Sequence, residues 1–384
     1  MRITQINVQG LYGIHHYQID FVEEACLKII HAPNGYGKTT VLKLIKEILN
    51  GQLGEIREIP FESFSVTFNE GQLIVAVHKE ISKLYYKISE NEKQTVYEIQ
   101  GDQNLPQALL QQLQDIEKEM PIYFIDASRL WIERRKEQTE EVVVMPRVLE
   151  YAKELGEWMR EALAQSNYCG QALDRSFPSR LITYLNNKEN RCLSPAEIHQ
   201  ELEDLEKKRR ALEGVGLFSA LEPIPIGNIE TLSEDMQKVL ILYIEDSKKK
   251  IEAFEVLATK INLLCSLINK RFSYKRMEVN MKEGFVFRVP THEVLKADKL
   301  SSGEQNELIL MFQLLFKAPA HAMILMDEPE ISLHIAWQQS FLEDMEAIAK
   351  LSQIRMMIAT HSPDIINGRW ELTTGLEEEE CDPI

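Results

Sequence analysis

The chain lacks any apolar run approaching the roughly 18–20 residues needed to span a bilayer, which argues against a transmembrane-helix protein. Its opening residues, MRITQINVQG, alternate like a strand and do not have the charged-then-apolar layout of a secretion signal, so a cytoplasmic location is expected. Cysteine is sparse. The five residues Cys26, Cys169, Cys192, Cys265 and Cys381 form no C-x-x-C pair and have no histidine at ligand spacing, so neither disulfides nor structural zinc are expected. Positive charge is also short: 43 Lys and Arg stand against 60 Asp and Glu, for a net charge of −17. That balance disfavours wrapping a polyanion, because non-specific nucleic-acid affinity comes mainly from cations that neutralise phosphates. Any nucleic-acid contact is therefore expected to be local. The basic clusters ERRKE (Glu133 to Glu137), Lys207 to Arg210 and Lys248 to Lys250 lie among acidic residues, the usual pattern of a solvated helical face with paired charges.

What is present is a chain of 384 residues, 44% hydrophobic, enough for one large core or two modest ones. Its most informative stretch is HAPNGYGKTT, His31 to Thr40, with the spacing of the phosphate-binding loop G-x-x-x-x-G-K-[ST] except that Ala32 replaces the first glycine. CLKII upstream supplies a buried strand, and TTVLKLIKEIL downstream has helical apolar spacing. The positive N-terminal end of that helix would face an anion. In this reading Asn34, Gly35, Tyr36, Gly37, Lys38, Thr39 and Thr40 cradle the phosphates, Lys38 reaches the β- and γ-phosphates, and Thr39 holds Mg²⁺ through its hydroxyl. The competing reading is a glycine-rich strand-to-helix turn with no ligand.

Residues 1–145 read as mixed α/β, with RITQINVQ, SFSVTFNE, QLIVAVHKE and KLYYKISE forming an antiparallel meander beside the loop strand. MPIYFIDASRLW follows as a strand ending in a polar loop. Between 146 and 272 the pattern becomes helical. Ser194, Pro195 and Glu197 make a capping box with proline at the first helical position. A second helix from Ser233 toward Arg271 would be on the order of 50 Å long. The Gly/Pro-rich GVGLFSALEPIPIGN between them predicts a bend, giving either an antiparallel, coiled-coil-like arm or a compact helical subdomain. Residues 273–384 return to strands and helices.

This last region carries KLSSGEQNELILMFQLLF, then AMILMDEPEISLH, an apolar strand ending in Asp327 and Glu328, then RMMIATHSPDII, another ending in Thr360 and His361. APNGYGKTT, LSSGEQ, ILMDEPEISLH and IATHSPDII together resemble the ABC-type ATPases of the RecF, SMC and OLD-like branch, including the AAA_15 and AAA_21 groups. The resemblance implies an α/β P-loop ATPase head with an antiparallel β subdomain and an inserted helical arm. Residues 1–145 and 273–384 would be the two parts of the head. It implies ATP as substrate, Mg²⁺ oriented by Asp327, attacking water activated by Glu328, and a γ-phosphate-sensing switch at His361. Ser301, Ser302, Gly303 and Glu304 would form the signature segment, which contacts ATP held by a second subunit and so implies head-to-tail self-association. Gln138, or the region of Asp126, Ser128 and Arg129, is where the loop linking γ-phosphate to the insertion is expected. Tyr12, His15 and His16 lie where an adenine contact would fall, or are surface-turn residues.

The long insertion argues against a transporter ATPase. YFIDASRLW and THSPDIINGRWEL most resemble the ATPase subunit of PARIS anti-phage defence systems. That family implies a multimeric sensor and scaffold that controls a TOPRIM-like nuclease effector and responds to a phage protein. With about two dozen residues after His361, less than a domain requires, the nuclease is expected on a separate chain. The alternative is a RecF- or SMC-like repair ATPase that clamps DNA.

Overall fold

The computed structural model describes residues 1–376 apart from 81–82, 92, 102, 126–130, 136–141, 187–192, 219–232, 292 and 332. Two compact units divide the chain, Met1–Arg129 with Ser302–Ile384, and Leu130–Ser301. The first unit begins with β1 (Ile3–Leu11), β2 (His15–Asp20), β3 (Leu27–His31), α1 (Lys38–Leu49), α2 (Gly54–Glu58), β4 (Ser63–Phe68), β5 (Leu73–Lys79), β6 (Lys83–Glu90), β7 (Lys93–Gln100), α3 (Gln107–Glu119) and β8 (Ile122–Ile125). The second unit holds β9 (Trp131–Arg135), β10 (Val142–Pro146), α4 (Arg147–Asn186), α5 (Pro195–Gly214), α6 (Glu234–Arg271), β11 (Arg276–Asn280), β12 (Gly284–Arg288) and β13 (Val294–Leu295). The first unit then resumes with α7 (Ser302–Phe312), β14 (Met323–Asp327), α8 (Ile335–Gln338), α9 (Phe341–Ser352), β15 (Arg355–Thr360), α10 (Pro363–Ile366) and β16 (Thr373–Gly375).

Two sheets build the first unit. One is antiparallel, in the order β2-β1-β4-β5-β6-β7. Its strands alternate as their sequences do: in SFSVTF the three apolar residues Phe64, Val66 and Phe68 are fully buried. The other is parallel, in the order β16-β3-β15-β14-β8. Its inner strands are covered on both faces, which is why LKIIH, MILMD and RMMIAT read as nearly unbroken apolar runs. The loop strand β3 therefore belongs to a separate sheet from the meander. α1 joins the two, with Val41, Leu42, Leu44, Ile45 and Ile48 fully buried in a hydrophobic cluster that includes residues of both sheets.

The second unit extends beyond the helical stretch and takes in the β9–β10 hairpin and the three-stranded antiparallel sheet β11-β12-β13. The helix starts fall where the capping residues predict. Ser194 and Glu197 complete the capping box of α5, and Ser233 caps α6. The pairing differs from the expected arm. α5 and α6 lie side by side and parallel, because Lys248 pairs with Glu201 and Lys208 with Glu255 at the same sequence offset of 47. The antiparallel partner of α6 is α4, linked by Ser166 Oγ to the Lys250 carbonyl at 2.7 Å and by Arg180 to Asp246. The end of α5 is consequently no tip. At φ +71° Gly216 packs so closely on β11 that a Cβ would stand 2.3 Å from the Val279 carbonyl oxygen. Residues 219–228 of the expected bend lie outside the described residues.

No helix among the described residues is long and apolar enough to cross a membrane. Cys26, Cys169 and Cys265 are free thiols, while Cys192 and Cys381 lie outside the described residues. Within the basic runs on the helices, Lys207 pairs with Asp204, Lys208 with Glu255, Arg210 with Glu206, Lys248 with Glu201 and Lys250 with Asp174.

Candidate active site

The parallel order β3-β15-β14 brings three informative strand ends to one edge of the sheet. Thr360 stands opposite His31 and Asp327 opposite Ala359 in the ladder, so the loop, the histidine turn and the acidic turn leave adjacent strands. The crevice beyond the carboxyl ends of such a sheet is where α/β folds bind ligands.

After His31 the chain turns through Ala32 to Gly37 and enters α1. Gly35 and Gly37 have φ of +97° and +80°, the left-handed region that other residues enter only at a cost. Ala32 is not among the positive-φ residues and is buried, so the missing first glycine leaves the turn intact. α1 has no acidic residue of its own in its first turn. Lys38 is buried, and its Nζ donates to the carbonyls of Ala32 at 2.7 Å and Pro33 at 3.1 Å, bracing the loop. Asn34 and Gly35 are exposed, and Tyr36 is half-buried.

Thr39 Oγ1 donates to the carboxylate of Asp327, 3.0 Å from Oδ1 and 2.9 Å from Oδ2. Burial pushes the Asp327 carboxyl above its ordinary value, the Thr39 hydrogen bond opposes this, and neighbouring Glu328 adds to the rise. These hard oxygens fit Mg²⁺, which takes one or two protein oxygens and fills its octahedron with phosphate and water. No group of three or more His, Cys, Asp or Glu suited to a metal occurs among the described residues.

Glu328 begins the turn after β14 at φ +42°, a left-handed conformation, with its N–H donating to the Ala359 carbonyl at 2.9 Å. That geometry turns its carboxylate toward His361, whose Nδ1 is 3.6 Å from Glu328 Oε1. The same Nδ1 is 3.2 Å from Glu330 Oε1. Sequence reading passed over Glu330, because a third acid beyond a strand end reads as surface; the structure buries it.

The remaining residues fall as follows. Ser302, Gly303 and Glu304 open α7 in the first unit, and Ser301 closes the second. Ser301 and Ser302 are exposed. Tyr12, at φ +56°, shares a hydrogen bond of 2.9 Å between its hydroxyl and Thr40 Oγ1. His15 stacks on Tyr17 and leans on Tyr36 at 5.6 Å, and the Tyr17 hydroxyl donates to the Tyr36 carbonyl. His16 is engaged by Gln9 at 2.6 Å. An aromatic group thus flanks the loop, contributed by β2, an element absent from the sequence reading. Asp126, Ser128, Arg129 and Gln138 lie outside the described residues. In the segment after His361, Arg369 pairs with Glu346 and Glu371, and Trp370 packs edge-on against His31.

A parallel sheet with a phosphate loop, an acidic strand end and a histidine strand end on adjacent strands defines a P-loop nucleotide hydrolase. Residues 1–366 match the AAA ATPase domain family AAA_15, and the chain belongs to that family. No curated protein matches the sequence. Among solved structures, the Smc head domain from Pyrococcus furiosus with an extended coiled coil, bound to the C-terminal domain of ScpA, is 14% identical; the match covers 97% of this chain and 92% of that one at a TM-score of 0.42. The SMC head domain from Thermotoga maritima is 11% identical, with coverage of 98% and 94% and a TM-score of 0.39.

Proposed function

We propose that this chain binds and hydrolyses ATP and acts as the sensor and scaffold of an anti-phage defence complex, controlling a separate TOPRIM-like nuclease. The observation that carries the ATPase assignment is the convergence of Lys38, Thr39, Asp327, Glu328 and His361 at one sheet edge. Lys38 and the amides at the start of α1 bind the phosphates, with Lys38 exchanging its carbonyl partners for the β- and γ-phosphates. Thr39 and Asp327 would hold Mg²⁺, which would supply positive charge beside the transferred phosphoryl group. Glu328 orients the attacking water and takes its proton, and His361 senses the γ-phosphate. The aromatic group around Tyr12 and His15 flanks the adenine.

Ser301 to Glu304 supply donors to ATP bound by a second copy. Positioned donors and exclusion of water are what phosphoryl transfer requires, and a closing dimer provides both. The defence role is supported by the likeness of YFIDASRLW and THSPDIINGRWEL to PARIS ATPase subunits, and by the engagement of Lys208, Lys248 and Lys250 with acidic partners, which reduces the cationic surface they offer DNA.

The test mixes Lys38→Ala with Gly303→Asp. Each variant alone is expected to be inactive, whereas mixed assemblies regain part of the turnover through intact composite sites. No recovery under proven subunit exchange removes the shared-site reading. For the partner, ATP-loaded Glu328→Gln protein is used as bait in lysate: co-purification of a nuclease subunit supports defence, and recovery of DNA with no protein effector supports a DNA clamp instead.

A further inference from the structure

We infer that Glu330 is the positioning residue for His361, fixing the imidazole as the Nδ1–H tautomer so that Nε2 is the nitrogen presented to the nucleotide. The inference rests on the ATPase reading for its catalytic consequence, but its geometry stands alone. Two hydrogen-bond donors and the His361 ring nitrogen converge on one oxygen. Glu330 Oε1 accepts from Thr360 Oγ1 at 2.6 Å and from the His361 backbone N–H at 3.0 Å, and lies 3.2 Å from His361 Nδ1. Thr360 is fully buried and the Glu330 side chain is 6% exposed, so this oxygen sits inside the protein. A carboxylate has only acceptor capacity when ionised, so a proton on Nδ1 is stabilised there and an unprotonated Nδ1 would set lone pair against lone pair. The backbone bond fixes the start of the turn and the Nδ1 contact fixes the ring, leaving His361 few alternatives.

The surrounding network supports the turn. Thr360 Oγ1 also accepts from the Ser362 N–H at 3.0 Å, and the Ser362 hydroxyl donates to Gln338 Oε1 at 2.8 Å. Gln338 is buried and in turn donates to the Leu333 carbonyl, so the acidic and histidine turns are tied at several points. Glu328 also faces Nδ1, at 3.6 Å, but it is more exposed and further away. The two carboxylates therefore divide the work: Glu330 holds the ring, and Glu328 is free to meet water. Glu330 Oε2 is buried without a hydrogen-bond partner, so the carboxylate's anchoring to protein runs through Oε1.

The test is nitrogen NMR of the intact, nucleotide-free protein carrying ¹⁵N-labelled histidine, recorded above the ordinary histidine titration range. The His361 signals are assigned among the nine histidines by their loss in His361→Gln. Wild type is expected to carry the proton on Nδ1. Glu330→Ala should lose that preference and lower kcat roughly 100-fold, the scale of a misplaced catalytic group, with KM for ATP within about twofold. Glu330→Gln keeps a side-chain carbonyl that can accept the same donors, so it should retain the tautomer and stay within about tenfold of wild-type kcat. An Nε2–H tautomer in wild type overturns the inference without any variant having to fold. An unchanged tautomer in Glu330→Ala, or equal loss of tautomer in Glu330→Gln, also overturns it. None of these outcomes bears on whether ATP is the substrate, which the Lys38 variant tests separately.

Discussion

Replacing Glu328 by Gln isolates the chemical step, because the structure indicates that almost nothing else depends on the charge of that carboxylate. The backbone at φ +42° suits Gln no better and no worse than Glu, and the N–H bond to Ala359 does not involve the side chain. The contact with His361, at 3.6 Å between partly exposed groups, is worth at most about 1 kcal/mol to folding. Stability is therefore expected to change by less than about 1 kcal/mol, and Tm by no more than roughly 4 °C. ATP and Mg²⁺ binding should persist, since Lys38, Thr39 and Asp327 are untouched. The barrier should rise. Loss of a positioned general base slows a reaction by about 10²- to 10⁴-fold, or about 2.7–5.5 kcal/mol in activation free energy. Single-turnover hydrolysis in rapid-quench mixing reads the chemical step directly, fluorescent-nucleotide titration reads binding, and light scattering reads the ATP-bound assembly, which should accumulate. A single-turnover rate within tenfold of wild type, with binding intact, would refute the assignment of Glu328 as base.

Two further sites probe different parts of the chain. Burial raises the Asp327 carboxyl, so the folded, nucleotide-free protein binds this proton more tightly than the unfolded chain, and stability falls as pH rises from the ordinary Asp value through the raised one. Asp327→Asn should remove that penalty, giving a higher nucleotide-free melting temperature at neutral pH together with loss of Mg²⁺-dependent turnover; a lower melting temperature would contradict the desolvation argument. In the helical unit, Arg180 grips Asp246 through two bonds of 2.6 Å, and the Asp246 side chain is only 9% exposed. Arg180→Ala should cost about 2 kcal/mol in urea unfolding, reduced from a fully buried pair because Arg180 is partly exposed, and Arg180→Ala/Asp246→Asn should regain part of it. No recovery in the double variant would mean that packing, not the stranded charge, sets the cost.

Local patterns in the sequence were enough to establish a good deal. Burial on both faces makes parallel strands read as apolar runs, so the strands leading to the loop, to Asp327 and to Thr360 were visible. Capping chemistry acts within four residues, so the helix starts at Ser194 and Ser233 were also legible. Tertiary structure decided whatever depends on partners distant in the chain. The sequence left an antiparallel α5–α6 arm and a compact helical subdomain both open; the two helices run parallel and α4 supplies the antiparallel contact, because side-chain pairing between helices leaves no mark on the periodicity of either one. Glu330 drew no reading from the sequence, and only the approach of Thr360 and His361, about thirty residues onward, makes it a buried acceptor. Ala32 departs from the motif's first glycine without disturbing the turn, which takes its positive φ angles at Gly35 and Gly37. Short-range propensity and burial periodicity are written residue by residue, whereas register, helix pairing and the meeting of strand ends follow from the packing of the whole chain.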